Sequence, residues 1–128
     1  IMKIGIHCKG FSLTSAIAAH IQKRLNFLLG RDIRGLQRVD FTLSDLMNEP
    51  RGGVDKRCLI KVNIDGLRPV IIEDVQPDLY MAIDRAAGRV SRTVMRRMAM
   101  DNSRRRALAY RWLDDKRKRH NQALLGAF

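Results

Sequence analysis

The fold is decided in the middle of the chain, where residues 57–66 have the sequence RCLIKVNIDG. Every second side chain from Cys58 to Ile64 is apolar, and this period of two predicts a half-buried β-strand. The pair Asp65-Gly66 that follows is a strong signal for a two-residue hairpin. A partner strand is therefore predicted directly after it, at about residues 68–75, and the two strands share one apolar face.

The flanking sequence adds two strands and two helices. Alternating apolar and polar residues predict strands over residues 2–9 and from Val39 to Leu43. Apolar residues at helical spacing predict a helix that Thr14 caps and Gly30 ends, and a second helix that Asp78 caps.

The predicted order of elements is therefore β-α-β-β-β-α. Because each strand has one apolar face and one mostly polar face, we predict an α+β fold of two layers, with a four-stranded sheet and two helices packed on one of its faces. The predicted domain spans residues 2–100 and contains a flexible loop at residues 47–54. Residues 101–128 are predicted to form a basic C-terminal extension.

Composition limits the classes of protein to which the chain can belong. It has 128 residues, of which 45% are hydrophobic and 30% charged, and this suits one compact domain with its own core. No apolar run is long enough to span a membrane, and the first residues lack the apolar segment of a signal peptide. With only two cysteines and no CxxC pair, the sequence predicts a reducing, cytoplasmic location.

Basic charge is concentrated in the last third of the chain. Lysine and arginine total 25 against 13 acidic residues, which gives a formal net charge of +12. Residues 1–84 carry 12 basic and 10 acidic side chains, a net of +2, whereas residues 85–119 carry 13 basic and 3 acidic, a net of +10. Such an excess indicates a polyanionic partner, with nucleic acid first and an anionic membrane surface second.

Four arginines of the second predicted helix form one ridge. Their spacing of four, three and four residues places them within about 60° of one another, opposite the apolar stripe and along about 16 Å of helix. No acidic residue of the helix after Asp84 lies at a flanking position to neutralise them, and like charges at this spacing destabilise a helix. Because guanidinium groups bind phosphate oxygens bidentately, a phosphate-binding surface is favoured over a merely solvated face. The ridge consists of Arg85, Arg89, Arg92 and Arg96, and Arg97 extends it.

Two other segments add to this basic surface. On the first helix, His20 and Lys23 lie off the apolar face and Arg24 lies at its margin, so the two helices are predicted to share a basic groove. The C-terminal extension interleaves basic and aromatic side chains, a pattern that can follow a nucleic-acid backbone and stack on bases. The alternatives for the extension are a poorly ordered tail and a continuation of the helix. Its possible RNA contacts are Arg104, Arg105, Arg106, Arg111 and Trp112.

The sequence offers little for catalysis or for metal binding. The three histidines are scattered, and no nucleophile, base and orienting group can be assembled from the sequence. His7 and Cys8 are neighbours on a predicted strand and point to opposite faces, so they are not a metal-binding pair. We therefore predict no enzymatic activity, no cofactor and no metal.

Two motifs resemble the bacterial family of ribosome hibernation-promoting factor and ribosome-associated inhibitor A. The first is Ile17-x-x-His20-Ile21-x-x-Arg24-Leu25 on the first helix. The second, and more specific, is Asp78-Leu79-Tyr80-Met81-Ala82-Ile83-Asp84 at the start of the second helix. The resemblance covers roughly residues 2–100, and the family has the β-α-β-β-β-α order.

The resemblance implies a function in the control of translation. Members of the family bind the small ribosomal subunit against its rRNA near the decoding site, where they occupy the space of mRNA and tRNA in idle or stressed cells. Basic residues on the two helices make the contacts, and Arg89, Arg92 and Arg96 fall where the family usually has lysine or arginine. The role of Arg85 rests on the ridge alone. The extension is too short for the dimerisation domain of the family's long form, so the chain resembles a short form.

Two other functions remain open from the sequence. The first is a free-standing double-stranded RNA-binding protein, because that module also has an α-β-β-β-α order. The second is a small RNA-processing enzyme that uses His7 or His20 as an acid or base.

Overall fold

The computed structural model describes residues 3–29, 35–45 and 55–126. It contains six elements in the predicted order: β1 (Lys3–Lys9), α1 (Ser15–Leu29), β2 (Leu36–Asp45), β3 (Lys56–Ile64), β4 (Val70–Gln76) and α2 (Leu79–Gly126). The predicted α+β fold is confirmed. Met2, the predicted helix end at Gly30 and the predicted loop at 47–54 lie outside the described residues.

The four strands form one sheet in the order β1-β2-β3-β4. Strand β1 pairs with β2 in parallel, and α1 makes the crossover that such a pair requires. The pairs β2–β3 and β3–β4 are antiparallel. Two successive antiparallel pairings make β4 run in the same direction as β2, and therefore as β1. Helix α1 follows β1 and helix α2 follows β4, so both helices begin at the same end of the sheet.

The core lies between one face of the sheet and the two helices. Strand residues Phe41 and Ile60 are fully buried, as are Ile21 of α1 and Ile83 of α2. The alternation predicted from the sequence places the apolar side chains of β2 and β3 on this face, while the opposite face carries exposed residues such as Lys61. The two-layer arrangement follows from this one-sided burial.

Both predicted helix caps are confirmed. The Thr14 hydroxyl accepts a hydrogen bond of 3.2 Å from the backbone N–H of Ile17. The carboxylate of Asp78 accepts one of 3.3 Å from the backbone N–H of Met81. Each cap satisfies an N–H group that has no partner within the helix, and so fixes where the helix begins.

The turn predicted at Asp65-Gly66 is confirmed, because the backbone N–H of Leu67 donates a 3.2 Å hydrogen bond to the carbonyl of Ile64, but the prediction that it joins the two strands directly is wrong. Gly66 does adopt a positive φ of 80°, but β4 begins only at Val70, after a connection of five residues. Pro69 has no backbone N–H for the ladder, and the backbone N–H of Asp65 bonds instead to the carbonyl of Gly35, at 2.8 Å. The end of β3 therefore pairs with β2 alone.

The chain divides into two units, Ile1–Val94 and Met95–Phe128. The first contains the sheet, α1 and the start of α2. In the second, the described residues are helical to Gly126, so the extension continues the helix, and the side chains from Asn102 to Leu125 are all exposed. Within the described residues, no helix combines the length and the apolar character needed to cross a membrane.

Candidate nucleic-acid interface

Three arginines of the predicted ridge lie in the first unit and are exposed. Helix α2 buries Ala82, Ile83, Ala86, Val90 and Val94, which leaves Arg85, Arg89 and Arg92 on its outer side. Within the described part of the chain, Arg85 and Arg92 have no hydrogen bond or ion pair. Their guanidinium groups are therefore available to an external anion.

Arg89 is held more firmly than its neighbours. Its Nη1 atom donates a 2.8 Å hydrogen bond to the backbone carbonyl of Glu73 and lies 3.6 Å from Asp74 Oδ2. Helical periodicity identifies acidic neighbours only on the helix itself, and so it could not identify Asp74, which lies on strand β4. The signal was present, because the alternation of β4 places Asp74 on the same face as the buried Val70.

Asp74 is a polar residue on the helix-covered face of the sheet. The sequence pattern predicts an apolar inner face for each strand, and β4 departs from this at Asp74 and Gln76. The carboxylate is only 11% exposed, and its Oδ1 accepts a 2.7 Å hydrogen bond from the Gln76 amide. Asp74 pairs across the ladder with Cys58, whose thiol pKa is raised to about 12, chiefly by burial and further by the negative charge of Asp74.

A groove of about 510 Å³ separates the end of β4 from the outer side of α2. Its lining combines both signs of charge, with carboxylates and an amide as well as guanidinium groups. The lining residues are Asp74, Gln76, Asp84, Arg85, Gly88, Arg89 and Arg92. The structure thus brings three of the predicted RNA-binding arginines around one concave surface.

His20 and Arg24 meet at a single carboxylate on α2. Asp84 Oδ1 lies 2.7 Å from His20 Nε2 and 2.6 Å from Arg24 Nε. Partial burial acts to raise the pKa of Asp84, but the hydrogen bonds from Arg24 and His20 outweigh it and hold that pKa below its usual value. The His20 ring also meets the ring of Tyr80 edge-on, with 5.0 Å between centroids. This cluster joins α1 to α2 and fixes where both basic side chains lie.

Lys23 faces another part of the surface. It lines a shallow depression on α1 together with Ala19, Gln22 and Asn26. The structure therefore separates Lys23 from the pair formed by His20 and Arg24 at Asp84. Among the described residues Lys23 has no hydrogen-bonding or ionic partner, and it does not line the groove between β4 and α2.

The second unit holds the remaining predicted contacts. Ion pairs join Arg105 to Asp101 at 3.1 Å and Lys118 to Asp114 at 3.2 Å, and the ammonium of Lys116 lies 5.0 Å from the centre of the Trp112 ring. Arg97 is also engaged by an interaction within the chain. Other predicted contacts have no polar partner among the described residues, and they are Arg96, Arg104, Arg106 and Arg111.

Side chains that could ligate a metal are dispersed over the described part of the chain. The described residues include no group of three or more histidine, cysteine, aspartate or glutamate side chains that could hold a metal ion. His7 is exposed on the sheet face opposite the helices, whereas His20 lies on α1, so the two histidines do not converge.

The fold matches solved structures of two bacterial proteins. The N-terminal domain of Protein Y from Thermus thermophilus is 29% identical, with a TM-score of 0.62 over 74% of this chain and 98% of that domain. A ribosomal subunit interface protein from Coxiella burnetii is 12% identical, with a TM-score of 0.60 over 77% of this chain and 99% of that protein, which is a likeness of fold. No curated protein sequence matches the chain significantly.

The sequence also matches a family model over residues 4–100, which is most of the chain and includes both motifs noted above. That family is described as sigma 54 modulation protein / S30EA ribosomal protein. The match covers the sheet except for Lys3, the first residue of β1, together with α1 and the part of α2 that carries the arginine ridge. The chain therefore belongs to the S30EA family of ribosome-associated proteins.

Proposed function

We propose that this protein inhibits translation by binding the small ribosomal subunit in its decoding-site channel, through contacts with rRNA phosphates, in the cytoplasm of idle or stressed cells. Inhibition follows from occupancy, because a protein in that channel takes the space that mRNA and tRNA need. The proposal therefore requires no cofactor, no metal and no chemical step.

One observation carries the proposal beyond family membership. Arg85 and Arg92 project from α2 with no hydrogen-bonding or ionic partner in the described part of the chain. A pair of unneutralised guanidinium groups gains from a phosphate ligand, because each can donate two parallel hydrogen bonds to its oxygens. Arg89, between them along the helix, adds a third positive charge whose position is fixed by the carbonyl of Glu73.

The other predicted residues contribute in different ways. His20 and Arg24 are positioned by Asp84 and extend the surface toward α1, where Lys23 adds one charge. The exposed arginines of the second unit supply further phosphate contacts, and Tyr110 and Trp112 supply aromatic surfaces for bases. Because every phosphate contact releases counterions, affinity should fall steeply with salt.

Cosedimentation with ribosomes tests the proposal. We expect the wild-type chain to travel with small subunits and with whole ribosomes in sucrose gradients and to be released as the salt concentration rises. The double variant Arg85→Glu/Arg92→Glu should lose this binding, because two attractive charges become repulsive. It is preferable to a reversal at Arg89, which would place a carboxylate beside Asp74 and disturb the fold.

The matched control is Lys3→Glu/Lys61→Glu. It changes the net charge by the same amount, but both lysines are exposed on the sheet face opposite the helices. Retained binding in this control, with loss in the arginine variant, supports the interface on α2. Equal loss in both variants contradicts it, and so does binding to plain duplex RNA without binding to ribosomes, which would favour a double-stranded RNA-binding protein.

A further inference from the structure

The groove between β4 and α2 contains more than an anion site needs. A surface that binds only phosphate would be lined by cations and N–H donors, whereas this one is also lined by Asp74 and by Asp84, of which Asp84 is already bound to His20 and Arg24. Its volume of about 510 Å³ is within the range of small-molecule sites. The mixed lining indicates a ligand that carries an anion at one end and hydrogen-bond donors at the other.

Asp74 supplies the acceptor. The side chain is almost nine-tenths buried, and within the described part of the chain only its Oδ1 accepts a hydrogen bond, from Gln76. Oδ2 has the guanidinium of Arg89 at 3.6 Å, which is beyond hydrogen-bond distance. The charge of the carboxylate is thus partly compensated, while its second oxygen still has the capacity to accept from a ligand.

Arg85 and Arg92 supply the cations, on the α2 side of the same groove. Gly88 lies between them on the helix and contributes no side chain, so the groove remains open there. Arg89 does not compete for the ligand's anion in the same way, because its Nη1 is already bound to the carbonyl of Glu73. Cations and acceptor therefore occupy different parts of one concavity.

We propose that this groove binds an unpaired guanosine nucleotide, with the base donating to Asp74 and the phosphate bound by Arg85 and Arg92. An ionised carboxylate only accepts hydrogen bonds, so the preferred base is the one with most donors on one edge. Guanine presents N1–H and the N2 amino group side by side, so one can donate to Oδ2 of Asp74 and the other to the remaining lone pair of Oδ1, which Gln76 leaves available. The Watson–Crick edges of adenine, cytosine and uracil each present a single donor group.

This inference rests on the proposal that the α2 surface binds RNA, and it adds base preference to phosphate binding. Phosphate contacts position a nucleic acid but carry no sequence information, whereas contacts to base edges do. The recognised nucleotide must be unpaired, because pairing would occupy the donors that Asp74 needs. Single-stranded or looped RNA is the expected form.

The test is fluorescence anisotropy of the full chain with labelled oligouridines at one fixed salt concentration. One oligonucleotide carries a single central guanosine, a second carries inosine at that position, and a third is uridine throughout. We expect about tenfold tighter binding of the guanosine strand than of the uridine strand. The inosine strand should lose most of that gain, because inosine lacks the N2 amino group.

Two protein variants locate the preference. Asp74→Asn keeps the shape of the side chain but replaces an acceptor by a donor at one atom, and it should bring all three affinities together. Asp40→Asn is the matched control, since Asp40 is a carboxylate on the other side of the sheet, paired with Arg38 at 2.8 Å, and should leave the preference intact. The comparison of the guanosine strand with the inosine strand uses the wild-type chain alone, so it tests the inference even if Asp74→Asn fails to fold.

Free guanosine monophosphate distinguishes the source of the ligand. Competition by the nucleotide with the guanosine strand supports a groove that accepts free guanine nucleotides as well as RNA. Failure to compete, with the strand preference retained, supports RNA as the ligand. Equal affinities of the wild-type chain for all three strands, or a preference for another base, overturns the inference.

The failure of this inference is distinguishable from failure of the proposed function. If the chain cosediments with ribosomes but shows no preference for guanosine, the groove inference falls and the proposed function stands. If the chain prefers guanosine but never binds ribosomes, the proposed function falls and the groove inference stands.

Discussion

Arg89 Nη1 donates a 2.8 Å hydrogen bond to the backbone carbonyl of Glu73, and so ties helix α2 to strand β4. The strand is at the edge of the sheet, where β4 has a ladder partner on one side only, β3. The same guanidinium lies 3.6 Å from Asp74 Oδ2, which brings a positive charge to a nearly buried carboxylate. Of the three ridge arginines in the first unit, Arg89 therefore has a structural role that Arg85 and Arg92 lack.

Arg89→Ala should destabilise the fold, whereas Arg92→Ala should not. The first substitution removes the hydrogen bond to Glu73 and the positive charge nearest to the Asp74 carboxylate. Because the Arg89 side chain is half exposed and solvent weakens both interactions, we expect a cost of about 1 kcal/mol. The second removes an exposed side chain without a partner and should change the free energy of unfolding by less than about 0.5 kcal/mol. Urea unfolding followed by circular dichroism measures both.

Ribosome binding gives a second measurement on the variants Arg89→Ala and Arg92→Ala. Both variants should weaken ribosome binding, since both remove a positive charge from α2. Equal stabilities of the two variants would contradict the structural role of Arg89. A normal affinity of Arg92→Ala would remove that residue from the interface.

The fold could be predicted from sequence because its main signals are local. Alternation from Cys58 to Ile64, the cap at Thr14 and the cap at Asp78 each act within a few residues, and each is confirmed. The turn at Asp65-Gly66 is equally local and is present, but the strands do not pair up to it, because Pro69 has no N–H to donate to the ladder. The N–H of Asp65 bonds to the carbonyl of Gly35, some thirty residues earlier in the chain, and no local pattern contains that partner.

The same distinction applies to the candidate site. Helical periodicity placed Arg85, Arg89 and Arg92 on one side of α2, and they line one groove. It could not show that Arg89 meets Glu73 and Asp74, or that Arg24 and His20 share Asp84, because these contacts join different elements. The identities of the neighbours, and therefore which arginines are unpaired, depend on tertiary packing.

Asp84→Asn should lower the stability at neutral pH and flatten its dependence on acid. In the folded chain the hydrogen bonds from Arg24 and His20 hold the pKa of Asp84 below its unfolded value. A depressed pKa contributes stability that is present above the unfolded value, about 3.9, and is lost as the pH falls through the folded value. We expect a loss of about 1–2 kcal/mol at pH 7, and a difference from wild type that shrinks below about pH 4.

Urea unfolding at a series of pH values measures this effect. Asp115→Asn, at an exposed carboxylate of the second unit, is the control and should leave the wild-type acid dependence in place. A constant difference between Asp84→Asn and wild type from pH 7 to pH 3 would mean that the carboxylate's charge contributes nothing to the helix–helix contact.

Cys58 should be almost inert toward thiol reagents in the folded chain. Its side chain is buried, and burial together with the charge of Asp74 raises its pKa to about 12, so about one thiol in ten thousand is ionised at pH 8. Cys8 is less buried, although burial raises its pKa as well. The variant Cys8→Ser should therefore react slowly with a disulfide reagent and quickly after unfolding in urea, whereas Cys58→Ala should react readily when folded. Similar rates for the two folded variants would contradict the burial of Cys58.

The exposed arginines of the second unit can be replaced without loss of stability. Arg104, Arg106 and Arg111 have no polar partner among the described residues, so replacing all three by glutamine removes charge without removing an internal contact. Glutamine preserves helix propensity, and the free energy of unfolding should stay within about 0.5 kcal/mol of wild type.

The salt dependence of ribosome binding then shows whether these arginines bind phosphates. Each phosphate contact contributes about 0.7–0.9 to the slope of log affinity against log salt, so the triple variant should reduce that slope by about 2–3. The control replaces Arg105, Lys116 and Lys118 by glutamine, because these three cations are already engaged with Asp101, Trp112 and Asp114. It should reduce the slope less, since part of its charge is neutralised within the helix. An unchanged slope in the first variant would restrict the RNA contacts to the first unit.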